Sequence, residues 1–202
     1  MARTPETSDK EGAKRRTILE AARGLLVERG FQDVALDDVA KRAGVAKGTL
    51  FLYYKNKQDL FTAAFADLVE RLGAGLEEVS RSPRGGRDLL AAAVDVVLSY
   101  FDENHDFMAQ VGLGRLPGCG ERSASCLKDL FQANYKRMRD ILSHCAASGV
   151  VKDEKLDVAA SFLFGLCRSS MLYYTYMGRA RKPVAARRDE VIEMFLKGAG
   201  QA

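Results

Sequence analysis

The chain has 202 residues, of which 47% are apolar and 29% are charged, and its formal net charge is +4. This length allows one large domain or two small ones. The absence of Trp, the four Pro residues and the lack of long alternating segments favour an all-helical protein. The polar N-terminus gives no sign of a signal peptide, and no apolar run approaches the roughly 18 residues of a membrane span. We therefore expect a cytoplasmic protein that does not enter the membrane.

Most of the positive charge lies in the first part of the chain. Residues 1–60 contain 12 Lys and Arg against 9 Asp and Glu, whereas the remaining residues are nearly balanced. A basic surplus is typical of nucleic-acid binding. On charge alone, a solvated basic N-terminus explains the surplus equally well.

The first predicted element is a disordered tail, residues 1–12. Apolar residues then recur at helical spacing, which predicts a helix from Ala13 to Arg29 that ends at Gly30. Glycine is common at this position because it adopts the left-handed conformation without a steric penalty.

The next segment, LDDVAKRAGVAKGTLFLYYKNKQDL, covers residues 36–60. It contains two short helices joined by a turn at Gly44, and the second is predicted over Lys47 to Tyr54. Such a pair can form a helix-turn-helix, whose second helix fits the major groove of DNA. Lys and Thr side chains around this second helix can donate to phosphates or reach base edges. The segment therefore predicts a DNA-binding unit.

Six more helices are predicted after the helix-turn-helix. Asn56 and Asp59 are spaced as a capping box at the start of the first one. The six helices are predicted at residues 57–79, 88–101, 105–113, 123 or 125 to 147, 153 or 157 to 177, and 189–197.

Several motifs follow one another with a definite spacing: GF at 30–31, DDVAKRAGV at 37–45, KGTLF at 47–51, YY at 53–54 and KQDL at 57–60. In this order they resemble the TetR family of bacterial transcriptional regulators. The resemblance implies an all-α protein with an N-terminal three-helix helix-turn-helix domain, residues 13–56. It also implies a C-terminal helical ligand-sensing and dimerisation domain, residues 57–202.

The resemblance further implies a ligand-responsive regulator that binds double-stranded operator DNA as a homodimer. We expect a repressor that a small molecule releases from its operator, and an activator remains open. By matching position, Lys47, Gly48 and Thr49 lie at the start of the recognition helix, Tyr53 donates to a phosphate, and Lys57 starts the next helix at another phosphate. Lys41 and Arg42 fit peripheral phosphate contacts and a solvated face equally well. The predicted DNA-binding residues are Lys41, Arg42, Lys47, Gly48, Thr49, Tyr53 and Lys57.

The remaining helices are expected to bind the effector and the second subunit. Phe, Tyr and Met side chains cluster on the middle helices, and Arg168 lies in an otherwise apolar helix, which predicts an apolar or weakly acidic effector. For Arg168 itself, an ion pair within the protein or between subunits is favoured over pairing with an acidic ligand. The predicted pocket residues are Tyr100, Phe101, Met108, Phe131, Tyr135, Phe162, Cys167 and Arg168. The predicted dimer interface comprises Leu163, Leu166, Ser170, Tyr174, Val191, Ile192 and Phe195 on the last two helices.

Other classes of protein are less well supported. The sequence has no phosphate loop, dinucleotide fingerprint or HExxH motif, and its two His residues lack triad partners, so we do not expect an enzyme. The four Cys residues lack CxxC spacing, so no cofactor or metal is predicted. Buried free thiols are favoured over a redox switch at Cys119 and Cys126. A helix-turn-helix adaptor that binds protein is a further alternative, and salt-dependent binding to duplex DNA would separate the two.

Overall fold

The computed structural model describes residues 5–112, 121–177 and 183–199, with side chains described within 11–110, 127–173 and 183–198 except Val184. In these residues the backbone forms α-helices and one short 3₁₀ turn, without a β-strand. The helices are α1 (Pro5–Asp33), α2 (Leu36–Arg42), α3 (Lys47–Tyr53), α4 (Lys57–Ser80), α5 (Gly86–Glu103), α6 (His105–Gly112), α7 (Glu121–Ala147), α8 (Leu156–Met177) and α9 (Arg188–Ala199), and the 3₁₀ turn is Val184–Arg187. The all-α prediction is confirmed.

Helix α1 begins earlier than its apolar pattern predicts. Its first residue is Pro5, so part of the expected tail is helical. Proline suits the first helical position, because it has no N–H to leave unsatisfied there and its φ angle is already helical. Gly30, with φ of 78°, interrupts the helix at the predicted stop, and a short helical segment continues to Asp33.

One compact unit comprises the described residues up to Leu68 together with residues 110–112 and 121–127. In it α1 packs on α2, and α2 packs on α3. The ring of Phe31 meets that of Phe61 on α4 at a centroid distance of 5.3 Å. The largest fully buried side chains of the unit are Ile18, Leu19, Leu25, Leu26, Leu50, Leu60 and Phe61.

The second compact unit comprises residues 69–109 together with the described residues from 128 onward. Its centre is formed by α5, which packs against α8, α9 and the 3₁₀ turn. The second half of α4 is held to α7 by Asn134, whose Nδ2 donates to the carbonyl oxygen of Val69 at 2.9 Å. Arg137 Nε donates to Glu77 at 3.0 Å. None of the helices in the described ranges combines the length and apolar character that a membrane span needs.

Candidate nucleic-acid interface

The turn between α2 and α3 is built around Gly44. Its φ of 65° lies in the left-handed region, which a glycine adopts without penalty. Val45 N–H then donates to Ala40 at 3.0 Å, which closes the end of α2. After this turn Leu50 is fully buried and Tyr54 is nearly so, and these two residues anchor α3 to the core. The opposite face of α3 is therefore directed away from the unit.

The outward face of α3 contains three of the predicted DNA-binding residues. Lys47 and Gly48 are exposed, and Thr49 is half-buried. No atom lies within 4 Å of the position that a Cβ on Gly48 would occupy, so the start of the helix is unobstructed. Lys47 Nζ donates to Asp37 at 2.8 Å, and both side chains are at least half exposed. An exposed pair of this kind contributes little to stability, so Lys47 can exchange partners.

Lys57 has protein partners that its predicted role did not anticipate. Its Nζ donates to the carbonyl oxygens of Phe31 at 2.7 Å and Gln32 at 3.1 Å. The same ammonium lies 4.5 Å from the centre of the Phe31 ring. Carbonyls at a helix C-terminus lack intrahelical partners and carry partial negative charge, so a cation stabilises them. Lys57 thus joins the end of α1 to the start of α4.

Arg42 is likewise held by the protein. Its two terminal nitrogens donate to the two carboxylate oxygens of Glu28, each at 2.7 Å. This bidentate hydrogen bond holds the pKa of Glu28 below its ordinary value. A Cβ on Gly24 would lie 3.2 Å from the guanidinium, so glycine leaves room for it beside α1. Of the other predicted donors, Lys41 is exposed and Tyr53 is half-buried.

Two residues of α3 were overlooked in the sequence. Leu52 is 86% exposed and Phe51 is 44% exposed, although both are large and apolar. The helical spacing contained the signal for them, because both fall on the side away from Leu50. The outward face of α3 is therefore partly apolar.

The predicted effector pocket is only partly assembled. Tyr100 and Phe101 are buried and meet edge-on at 5.3 Å, and the Tyr100 hydroxyl lies 3.6 Å from the sulfur of Met108. Cys167 is fully buried, and Phe131 and Tyr135 are each 40% exposed. Phe162, which is 67% exposed, and Arg168 lie on the surface of α8. The structure therefore brings together Tyr100, Phe101 and Met108 but directs Phe162 and Arg168 outward.

A cavity of about 530 Å³ lies instead on the outer face of α8 and α9. Its apolar wall includes the exposed side chains of Val158, Phe162 and Met194, and Lys152 and Lys155 also line it. Of the eight predicted pocket residues, only Phe162 takes part.

The structure changes which residues of these two helices are available to a second subunit. Leu163, Val191, Ile192 and Phe195 are at most 3% exposed, because they fill the core between α5, α8 and α9. Buried Ser170 donates its hydroxyl to the Leu166 carbonyl at 3.0 Å. Little of these side chains is left for a partner, which corrects the predicted set. Leu166 lines the cavity, and the Tyr174 side chain lies outside the described residues.

The chain is similar to known regulators in both sequence and structure. The family described as bacterial regulatory proteins, tetR family, matches residues 18–64. A fatty acid metabolism regulator protein of Bacillus subtilis (strain 168) is 25% identical over 183 residues, which cover 90% of this chain and 93% of the relative. The activator FasR of Mycolicibacterium smegmatis is 31% identical over 93 residues, which cover 46% of this chain and 42% of FasR.

Solved structures agree with this assignment at the level of the fold. The fatty acid degradation regulator FadR of Bacillus halodurans superimposes with a TM-score of 0.77 at 19% identity, covering 98% of both chains. FadR of Bacillus subtilis in complex with stearoyl-CoA superimposes with a TM-score of 0.76 at 22% identity, covering 91% of this chain and 98% of that chain. This chain belongs to the TetR family.

As a member of the TetR family, the chain is a DNA-binding transcriptional regulator and not an enzyme. The helix-turn-helix and the family predicted from the motifs of residues 30–60 are therefore confirmed. Among the described residues of this TetR-family chain, no group of His, Cys, Asp and Glu is arranged to hold a metal ion. Cys145 and Cys167 are buried free thiols. Cys119 and the Cys126 side chain lie outside the described residues.

Proposed function

We propose that this chain is a ligand-responsive repressor that binds a near-palindromic operator as a homodimer. The outward face of α3, presented after the Gly44 turn, is the observation that carries the proposal. One such helix covers only a few base pairs. A twofold dimer would place two of them in successive major grooves, about 34–36 Å apart.

The proposed DNA-binding domain is residues 13–56, and the proposed regulatory and dimerisation domain is residues 57–202. Lys47, Gly48 and Thr49 are proposed at the base edges and the adjoining backbone. Lys41 and Tyr53 are proposed at phosphates. In this proposal Lys57 and Arg42 act in two ways, because each adds positive charge near the DNA and also holds neighbouring helices together.

The proposed dimer interface is the exposed apolar face of α8 and α9. Val158, Phe162 and Met194 are 47%, 67% and 60% exposed, and they border the same cavity. Burying these exposed apolar side chains against a second copy favours association. The face replaces the core residues that the sequence pattern had suggested.

The proposed effector is a fatty acyl compound, such as a long-chain acyl-CoA. A relative that covers nearly the whole chain is named for fatty acid metabolism, which supports this class. The acyl chain also agrees with the apolar character expected from the sequence. A ligand that binds the DNA-incompetent arrangement more tightly releases DNA by the same coupling energy, typically about 1–3 kcal/mol.

The test begins with selection of duplexes from a random library by the full-length protein. A selected operator is then titrated with and without stearoyl-CoA, which measures how effector binding changes operator affinity. CoA and stearate are the controls. We expect a palindromic consensus, binding that weakens steeply with salt, and release by stearoyl-CoA. Failure to retain any duplex would overturn DNA binding. If the protein retains the duplex but stearoyl-CoA does not release it, the proposed effector is wrong. If the bound protein increases transcription from the promoter, it is an activator.

A further inference from the structure

The outward face of α3 is poor in hydrogen-bonding groups. From Lys47 to Leu52 only Lys47 and Thr49 have polar side chains, and Lys47 is already paired with Asp37. Sequence readout by hydrogen bonds needs donors and acceptors at the base edges, of which Arg, Asn and Gln provide the most selective. None of these residue types is present on α3.

Large apolar side chains are exposed on this face of α3 instead. Phe51 and Leu52 follow Gly48 by three and four residues, so the three share one helical surface. Gly48 has no side chain, which leaves the side chains of Phe51 and Leu52 as the main protrusions there. Single exposed apolar residues are common and carry no meaning alone. Here two adjacent ones lie on the helix that a helix-turn-helix inserts into DNA.

The surroundings of this apolar surface fit a duplex. Lys47 at the start of α3 and Lys55 just after its end are both exposed, so cations flank Phe51 and Leu52 along the chain. Phosphates border the major groove in the same way on either side of the bases. Within that groove the C5-methyl of thymine is the apolar group at a base edge.

We propose that Phe51 and Leu52 read thymine methyl groups in the operator, with Leu52 as the principal specificity-determining residue. This inference rests on the proposed insertion of α3 into the major groove. Leu52 makes an apolar contact with a thymine methyl, which excludes water from both. Phe51 extends that contact toward the neighbouring base pair. The operator half-site therefore contains at least one T·A pair whose methyl group contributes to affinity.

Deoxyuridine provides the test, because it pairs as thymidine does and lacks only the methyl group. Each thymine of a duplex selected by the wild-type protein is replaced in turn, at symmetric positions in both half-sites. Burial of one methyl-sized group is worth about a fourfold change in affinity, so we expect a loss of about tenfold or more when both half-sites are altered. Affinity is measured by fluorescence anisotropy at constant salt.

Leu52→Ala assigns the effect to its side chain. This variant should fold normally because Leu52 is exposed, and it should bind the thymine and deoxyuridine operators about equally. Val27→Ala is the matched control, since Val27 is an exposed aliphatic residue on α1. It should retain the full preference for thymine. Circular dichroism melting verifies that both variants fold.

Two outcomes would overturn the proposal while leaving DNA binding intact. In the first, no deoxyuridine substitution weakens the wild-type protein, as expected if a partner protein covers the apolar face instead. In the second, Leu52→Ala keeps the whole preference, so that another side chain or the stiffness of the duplex is responsible. Absence of any duplex binding would instead refute the proposed function itself.

Discussion

At the scale of single residues, substitution can test how much the bonds of Lys57 contribute to stability. We expect Lys57→Ala to lower the free energy of unfolding by about 1–3 kcal/mol, because the carbonyls of Phe31 and Gln32 lose a charged donor. Lys55→Ala is the matched control, since Lys55 is exposed and donates to Asp59 through its backbone N–H. Urea unfolding measures both variants. Equal stability of the two would show that the Lys57 bonds contribute nothing net.

Gly73 is a second residue whose substitution should change stability. A Cβ there would lie 2.5 Å from Asn134 Oδ1, so Gly73→Ala must displace the amide that donates to Val69. We expect the free energy of unfolding to fall by about 1–3 kcal/mol, despite the better helix propensity of Ala. Gly12→Ala, where nothing lies within 4 Å, should instead be neutral or stabilising by up to about 1 kcal/mol. If both variants gain stability in urea, the close α4–α7 contact is not restrictive.

The two described thiols should be unreactive in the folded protein. Burial raises the pKa of Cys145 to about 11 and that of Cys167 to about 12. Both stay protonated at pH 8, and the thiolate is the reactive form. Iodoacetamide should therefore label neither position in the native protein and both in urea, as read by peptide mass mapping. Native labelling of Cys167 would contradict its burial.

The same pKa shifts give a direction for stability against pH. In the unfolded chain a thiol has a pKa of about 8.5, whereas both thiols have a pKa well above that value in the folded protein. The two buried thiols therefore contribute their full stabilisation of the folded protein below about pH 8.5. This contribution declines as the pH rises toward 11, because the unfolded chain then loses its thiol protons more readily than the folded one. Thermal melts at increasing alkaline pH should follow this decline.

At the scale of elements, α9 has one buried face and one exposed face. Ile192 is 1% exposed and Met194 is 60% exposed. We expect Ile192→Glu to unfold the protomer, because an unpaired charge would enter an apolar core. Met194→Glu should leave the protomer folded and shift it from dimer to monomer. Circular dichroism and light scattering separate the two outcomes, and a Met194→Glu dimer would place the interface elsewhere.

Some contacts within these elements could be predicted from sequence because they are local. Asn56 Oδ1 accepts from the Asp59 N–H at 2.8 Å, as the capping-box spacing indicated. The φ of Gly30 and of Gly44 agrees with the predicted stop and turn.

Other contacts could not be read from spacing. The Asn134 bond to Val69 joins residues 65 positions apart, and the Arg42 bond to Glu28 depends on how α2 crosses α1. Helix α8 carries apolar residues on several faces, and α9 adds an exposed Met194 to its buried residues. Periodicity therefore could not separate core residues such as Leu163 from surface residues such as Phe162.

At the scale of the whole molecule, the proposed twofold dimer predicts how operator geometry affects binding. Inserting about five base pairs between the half-sites turns one of them to the opposite side of the duplex. Affinity should then fall to that of an isolated half-site. Retained affinity, measured by anisotropy on the lengthened duplex, would contradict simultaneous use of two α3 helices.

The pair between Lys47 and Asp37 affects how the regulator would search a genome. In the free protein the Asp37 carboxylate pairs with the Lys47 ammonium at 2.8 Å, so its negative charge competes with any phosphate for that cation. This competition weakens attraction to every sequence alike, because phosphate contacts carry no sequence information. Random DNA vastly outnumbers operators in a cell, and time spent on it delays arrival at the target. We therefore expect Asp37 to shorten each unproductive encounter and to leave discrimination to the side chains proposed to face the groove.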